Sequence, residues 1–164
     1  MKLEMDALSV WGDYDIFINQ MSIDERTIFE SLLPNRKLWY MCSAKKAFDK
    51  AKELFPQSTV NGIGDAYRHA LWNGYSSLAI GRDLTEQLTT AHESKFSTYP
   101  FNYKENEMDL YNNNKGRLAS FRSNFNTVSN EILADLQSGY LRYLNNLNSN
   151  KEATYNSILI PTDQ

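Results

Sequence analysis

The sequence predicts an all-α fold, a compact bundle of about five to six helices with a short extended tail at its C-terminal end. Apolar residues recur at three- and four-residue spacing through most of the chain, which is the period of a helix with one buried face. The segments that carry this pattern are joined by short stretches rich in Pro, Asn, Gly and Ser, with no repeat and no linker between them. A chain of 164 residues that is 41% hydrophobic can bury one core without disulfides, so residues 1–164 read as a single all-helical domain.

Each element has its own signal. Residues 1–20 mix acidic and aromatic side chains and read as an irregular lead-in. Ser22-Ile23-Asp24-Glu25 is a capping box, which starts a helix carrying Ile28, Leu32 and Leu33, and Pro34 is expected to end it. A second helix is expected over about 36–55, with Ala44, Ala47, Phe48, Ala51 and Leu54 as its apolar stripe and Pro56 closing it. Residues 57–64 are polar, with Asn61-Gly62 as a turn signal. A third helix follows over about 65–80, capped by Gly81, and a fourth over about 84–93. Residues 94–104 read as a loop, and a fifth helix runs from about 105 into the low 120s. The sixth is expected over about 128–147, with Ile132, Leu133, Leu136, Tyr140, Leu141 and Leu144 on its apolar side. The run Ile158-Leu159-Ile160 before Pro161 forms the tail, as a small strand or a segment docked on the body.

Composition narrows the function. The net charge is -3 and no long basic run exists, so no nucleic-acid partner is expected. Lys45, Lys46, Lys50 and Lys52 alternate with Asp49 and Glu53 at helical spacing and read as a solvated face. Cys42 is the only cysteine and follows Trp39, Tyr40 and Met41, so it reads as a buried structural thiol rather than a nucleophile. No apolar run approaches the roughly 18 residues that span a membrane, so no transmembrane segment is expected. The first residues lack a signal-peptide hydrophobic region.

Three segments carry the polar chemistry. In Asp65-Ala66-Tyr67-Arg68-His69-Ala70-Leu71-Trp72-Asn73, the residues Asp65, His69 and Asn73 are four apart and share one helix face, bordered by Arg68 and Trp72. Ala91-His92-Glu93 lies near a helix end. In Met108-Asp109-Leu110-Tyr111-Asn112-Asn113, followed by Gly116-Arg117, Asp109 and Asn113 are again four apart. Taken singly, each group has an ordinary structural use: Asp65 as a helix cap, His69 as its local partner, Asn112 to Asn114 as a solvated face. Together they put polar groups where apolar residues would pack, and an unpaired buried polar group costs about 1–3 kcal/mol. Such groups therefore satisfy one another, water or an ion. The residue types suit two chemistries: metal binding through nitrogen and oxygen, and a histidine base oriented by a carboxylate. There is no HExxH, GxSxG, P-loop or dinucleotide-binding fingerprint.

At these residues the chain resembles a bacterial domain family of unknown function, marked by an A-D-A-F-R-H-A-Y-W-N-A pattern, then A-H-E, then M-D-L-H-N-N-x-x-G-R. The matching runs are Gly64 to Gly74, Ala91-His92-Glu93 and Met108 to Arg117, and the resemblance covers about residues 40–162. Residues 1–39 lie outside it as a variable N-terminal helical segment. The resemblance implies an all-helical domain, often found at the end of larger bacterial exported or toxin-like proteins. The family usually has His where this chain has Tyr111.

The resulting expectation is a hydrolase-type bacterial effector or toxin domain acting on an envelope component or a phospholipid. His69, His92, Asp109 and Arg68 are the expected catalytic residues, with His69 as base or ligand and Arg68 steadying negative charge. Trp72, Asn73, Tyr111 and Asn113 are the expected substrate-binding residues. Asp65, Glu93 and Asp109 are the expected ligands of a divalent cation, Ca2+ or Zn2+. Expected partners are a cognate immunity protein or a secretion-system carrier, with export as an effector and otherwise a cytoplasmic location. The alternative is a non-catalytic binding module in which the polar cluster is structural.

Overall fold

The computed structural model describes residues 12–164 apart from residue 96, so part of the expected N-terminal lead-in lies outside the described residues. The chain there is all-α with a minimal sheet. Its helices are α1 (Tyr14–Gln20), α2 (Ile23–Glu30), α3 (Pro34–Leu54), α4 (Ile63–Ile80), α5 (Arg82–His92), α6 (Asn102–Ala119) and α7 (Val128–Gln137), with a 3-10 turn at Ser120–Arg122. Strands β1 (Arg142–Leu144) and β2 (Leu159–Pro161) pair antiparallel, with Tyr143 opposite Ile160.

Local chemistry accounts for most boundaries. The Ser22 side chain accepts a hydrogen bond from the Glu25 backbone N–H and so starts α2. Pro34 begins α3 rather than ending α2, because a proline at the first helical position loses no hydrogen bond. The segment 14–20 is helical, where an irregular lead-in was expected; Ile18 and the partly buried Phe17 dock on the core and stabilise it. The last helix stops at Gln137, ten residues before the expected 147. Gly139 takes φ +75°, which reverses the chain into β1. Leu141 and Leu144 are buried as expected, but from the strand side. The apolar tail is β2, the first of its two expected forms.

Helix α4 is the central element. Fourteen of its 18 residues are buried, and it packs against α3, α5, α6 and α7. The main core lies around it, with Phe29, Tyr40, Met41, Leu71, Leu88 and Ile132 fully or almost fully buried. Helices α4 and α6 approach closely at Gly116, where a Cβ would stand 1.9 Å from the Ala70 carbonyl oxygen. That contact lays the Asp109–Asn113 face of α6 on the Asp65–His69–Asn73 face of α4. The lysines of α3 form a solvated face as expected, with Lys45 on Asp49 at 2.8 Å and Lys50 on Glu53 at 3.1 Å. Cys42 is buried. Among the described residues no helix is long and apolar enough to cross a membrane.

Candidate functional site

The three polar segments converge. Asp65, Arg68, His69 and Asn73 come from α4, Glu93 caps the end of α5, and Asp109 and Asn113 come from α6. At the centre, Arg68 donates to Asp65 Oδ1 from Nε at 3.1 Å and from Nη2 at 2.5 Å. Its Nη2 also lies 3.0 Å from His69 Nε2. Arginine can only donate, so Nε2 accepts and the ring proton sits on Nδ1, which donates to Asn113 Oδ1 at 3.1 Å. Asn73 Nδ2 donates to the same Asn113 oxygen at 2.8 Å. Asn73 Oδ1 accepts from Thr89 Oγ1 at 2.8 Å and from Arg117 Nη1 at 3.0 Å. The other amide end of Asn113 donates to Glu93 Oε1 at 3.3 Å.

Burial sets the charges in this inner cluster. It would raise the Asp65 carboxyl, but Arg68, His69 and the Asn61 backbone N–H outweigh it and hold that carboxyl below its ordinary range. Burial and the adjacent Arg68 hold the His69 imidazole below its ordinary value. Asp109 goes the other way: burial, Asp65 and Glu93 push its carboxyl well above its ordinary range. Asp109 Oδ1 lies 3.3 Å from His69 Nε2 and has no hydrogen-bond donor of its own. Asp65, His69 and Asp109 offer donor atoms that all lie within 4.8 Å of one another, a spacing a divalent cation can bridge. The Arg68 guanidinium already faces two of those donors, so a cation would have to displace it.

A second constellation opens to solvent beside the first. His92, at the end of α5, places Nδ1 2.6 Å from Glu25 Oε2, and the other Glu25 oxygen accepts from the Tyr40 hydroxyl at 2.7 Å. Glu25 is 1% exposed. Burial, followed by the charge of Glu25, pushes the Tyr40 phenol well up, so it stays a donor. The Trp72 ring separates the two constellations, 6.3 Å from the His69 ring and 5.0 Å from the His92 ring. Glu25, Tyr40, Trp72, His92 and Arg68 all line a cleft of about 520 Å³ between α1, α3 and the end of α5. Apolar side chains, among them Ile16, Phe17, Met21 and Phe48, form its walls.

The structure thus brings together Asp65, Arg68, His69, Asn73, Glu93, Asp109 and Asn113 and places His92 and Trp72 at their edge. It does not bring Tyr111, which was expected to bind substrate. The Tyr111 hydroxyl donates to the Tyr140 carbonyl at 3.2 Å, and its ring lies under Lys115 and Arg142. Two residues from Asp109 is about 200° around a helix, which turns Tyr111 to the opposite face. Asn112 is not a solvated residue either: it is fully buried and holds β1 through the Arg142 backbone. Sequence reasoning missed Glu25, Tyr40 and Thr89. Glu25 looked like a helix-capping residue, and nothing local tied it to a histidine 67 positions away.

The family described as "Domain of unknown function (DUF6973)" matches residues 32–140, which hold every residue of both constellations except Glu25. No curated protein and no solved structure matches the chain.

Proposed function

The chain belongs to the DUF6973 domain family of unknown function, and we propose that it is a hydrolase of an envelope component or a phospholipid, with the character of a bacterial effector. One observation carries this reading: a histidine bound at 2.6 Å to a buried carboxylate, on the floor of a cleft that an arginine also lines. Glu25 fixes the ring and tautomer of His92, because a carboxylate at Nδ1 keeps the proton there and leaves Nε2 as a base. His92 Nε2 takes a proton from water, the water oxygen bonds to the acyl or phosphoryl centre, and the ester bond breaks. The proton then passes from His92 to the leaving oxygen. Arg68 faces the negative charge that develops.

In this reading His69 is a positioning residue. It is 2% exposed, both ring nitrogens are engaged, and its protonation is opposed by burial and Arg68. Its work is to hold Arg68. Partners such as an immunity protein or a secretion carrier, and export from the cell, are consistent extensions of an effector role.

The test is turnover of labelled phospholipids and peptidoglycan by the parent chain, His92→Gln and Glu25→Gln, with and without EDTA. The parent is expected to turn over one of these classes, and His92→Gln to lose about 10²-fold or more with its circular dichroism unchanged. Background rates for the parent on every substrate would refute an enzyme. Loss of activity with EDTA would bring a cation into the Asp65–His69–Asp109 group.

A further inference from the structure

We infer that the cleft takes a single-chain amphiphile through its phosphate, which sits on the floor against Arg68, Trp72 and His92 while the chain lies along the apolar walls. This rests on the cleft being the site proposed above, and it names the ligand that the cleft accepts.

The first argument is the chemistry of the cleft floor. Trp72 is 5% exposed and presents little but its ring to the cleft, since its Nε1–H is itself buried. Arg68 stands on the same floor with its side chain 29% exposed, anchored from behind by Asp65. Arginine matches the flat, multi-oxygen face of a phosphate better than a lysine does.

The second argument is the disposition of charge. Carboxylates also line the cleft, but the deep one is already satisfied: Glu25 accepts from Tyr40 and His92. Asp49 lies at the exposed rim and is paired with Lys45. Asp13 and Lys95 complete the charged lining and oppose one another in sign. Arg68 therefore gives the floor its positive charge.

The third argument is the wall. Ile16 is 57% exposed and Phe48 49% exposed, yet both face a concave space rather than standing singly on a convex surface. A volume of about 520 Å³ falls in the range of small-molecule sites and is too small to enclose a folded partner. Polar donors at depth and apolar walls toward the opening fit a charged head that enters first and a hydrocarbon chain that follows.

The probe is dodecylphosphonate, whose carbon–phosphorus bond resists hydrolysis, titrated calorimetrically into the full chain below its micelle concentration. Inorganic phosphate and uncharged dodecyl maltoside are the controls. Dodecylphosphonate is expected to bind at least tenfold tighter than either control. Arg68→Lys should weaken it about tenfold, because a point charge replaces the guanidinium fork. Phe48→Ser, at an exposed position, should weaken it similarly with the fold intact. Equal binding of dodecyl maltoside, equal binding of inorganic phosphate, or no binding of the phosphonate would each overturn the inference. Binding without turnover would leave this site standing and remove the hydrolase, whereas turnover of other substrates without phosphonate binding would do the reverse.

Discussion

Asp109 is the residue least at ease in this fold. Its carboxyl is buried beside Asp65 and Glu93 and its folded-state pKa is pushed well above the ordinary 3.8. A carboxyl raised in the folded state favours folding fully only below the unfolded value. As pH rises above 3.8, the unfolded chain releases this proton while the folded chain retains it, and stability falls. His69 works in the opposite direction. Its folded value lies below 6.5, so its neutral packing is fully present above 6.5 and weakens as pH drops from there toward the lowered value. Asp109→Asn mimics the protonated acid. It is therefore expected to raise the melting temperature by several degrees at pH 7 and by little at pH 3.5, read by calorimetry. A variant less stable than the parent at pH 7 would sink this account. A group that destabilises its own fold is also what a functional site tends to contain. How much of this was legible depended on distance along the chain. The four-residue spacings of Asp65, His69 and Asn73, and of Asp109 and Asn113, revealed two matching faces, because helical geometry is local. Glu25 was hidden because its partners, Tyr40 and His92, are joined to it only by tertiary packing. Tyr111 was grouped with its sequence neighbours, although helix geometry turns it away from them.

The elements show the same division. The all-α class and most helix starts followed from period and capping, while the ends of helices did not. Helix α7 stops at Gln137 although Leu141 and Leu144 continue the apolar rhythm, since a strand leaving a positive-φ glycine can bury those residues equally well. The α4–α6 crossing is where element geometry becomes site geometry. Gly116 admits the Ala70 carbonyl to a distance that no side chain permits. Gly116→Ala must push the two helices apart by more than an ångström, and overpacking of this kind costs about 1–3 kcal/mol or more. The expected outcome is a lower urea midpoint with an unchanged slope, together with loss of the coupling between His69 and Asn113 in a double-mutant cycle. An unchanged midpoint would mean that this contact does not fix the crossing.

At the scale of the whole molecule, the polar groups divide into an inner tier that braces and an outer tier that faces solvent. Inner groups bond to one another across three helices, so their removal leaves buried partners unsatisfied. Side chains at the cleft rim such as Ile16 and Phe48 are about half exposed, and their replacement is expected to leave the fold intact. The two tiers meet at Arg68 and Trp72, through which a rigid interior can hold a reactive surface in place. Stability and ligand binding should therefore separate. His69→Ala removes one buried partner each from Asn113 and Arg68 and is expected to cost about 1–3 kcal/mol, roughly 2–4 °C of melting temperature for each kcal/mol in a chain of this size. Ile16→Ser and Phe48→Ser, at positions 57% and 49% exposed, should stay within about 0.5 kcal/mol of the parent and yet weaken amphiphile binding. Thermal melts and binding isotherms on the same three variants decide the matter. If the rim variants unfold as readily as His69→Ala, the cleft walls are part of the core and not a surface kept open for a ligand.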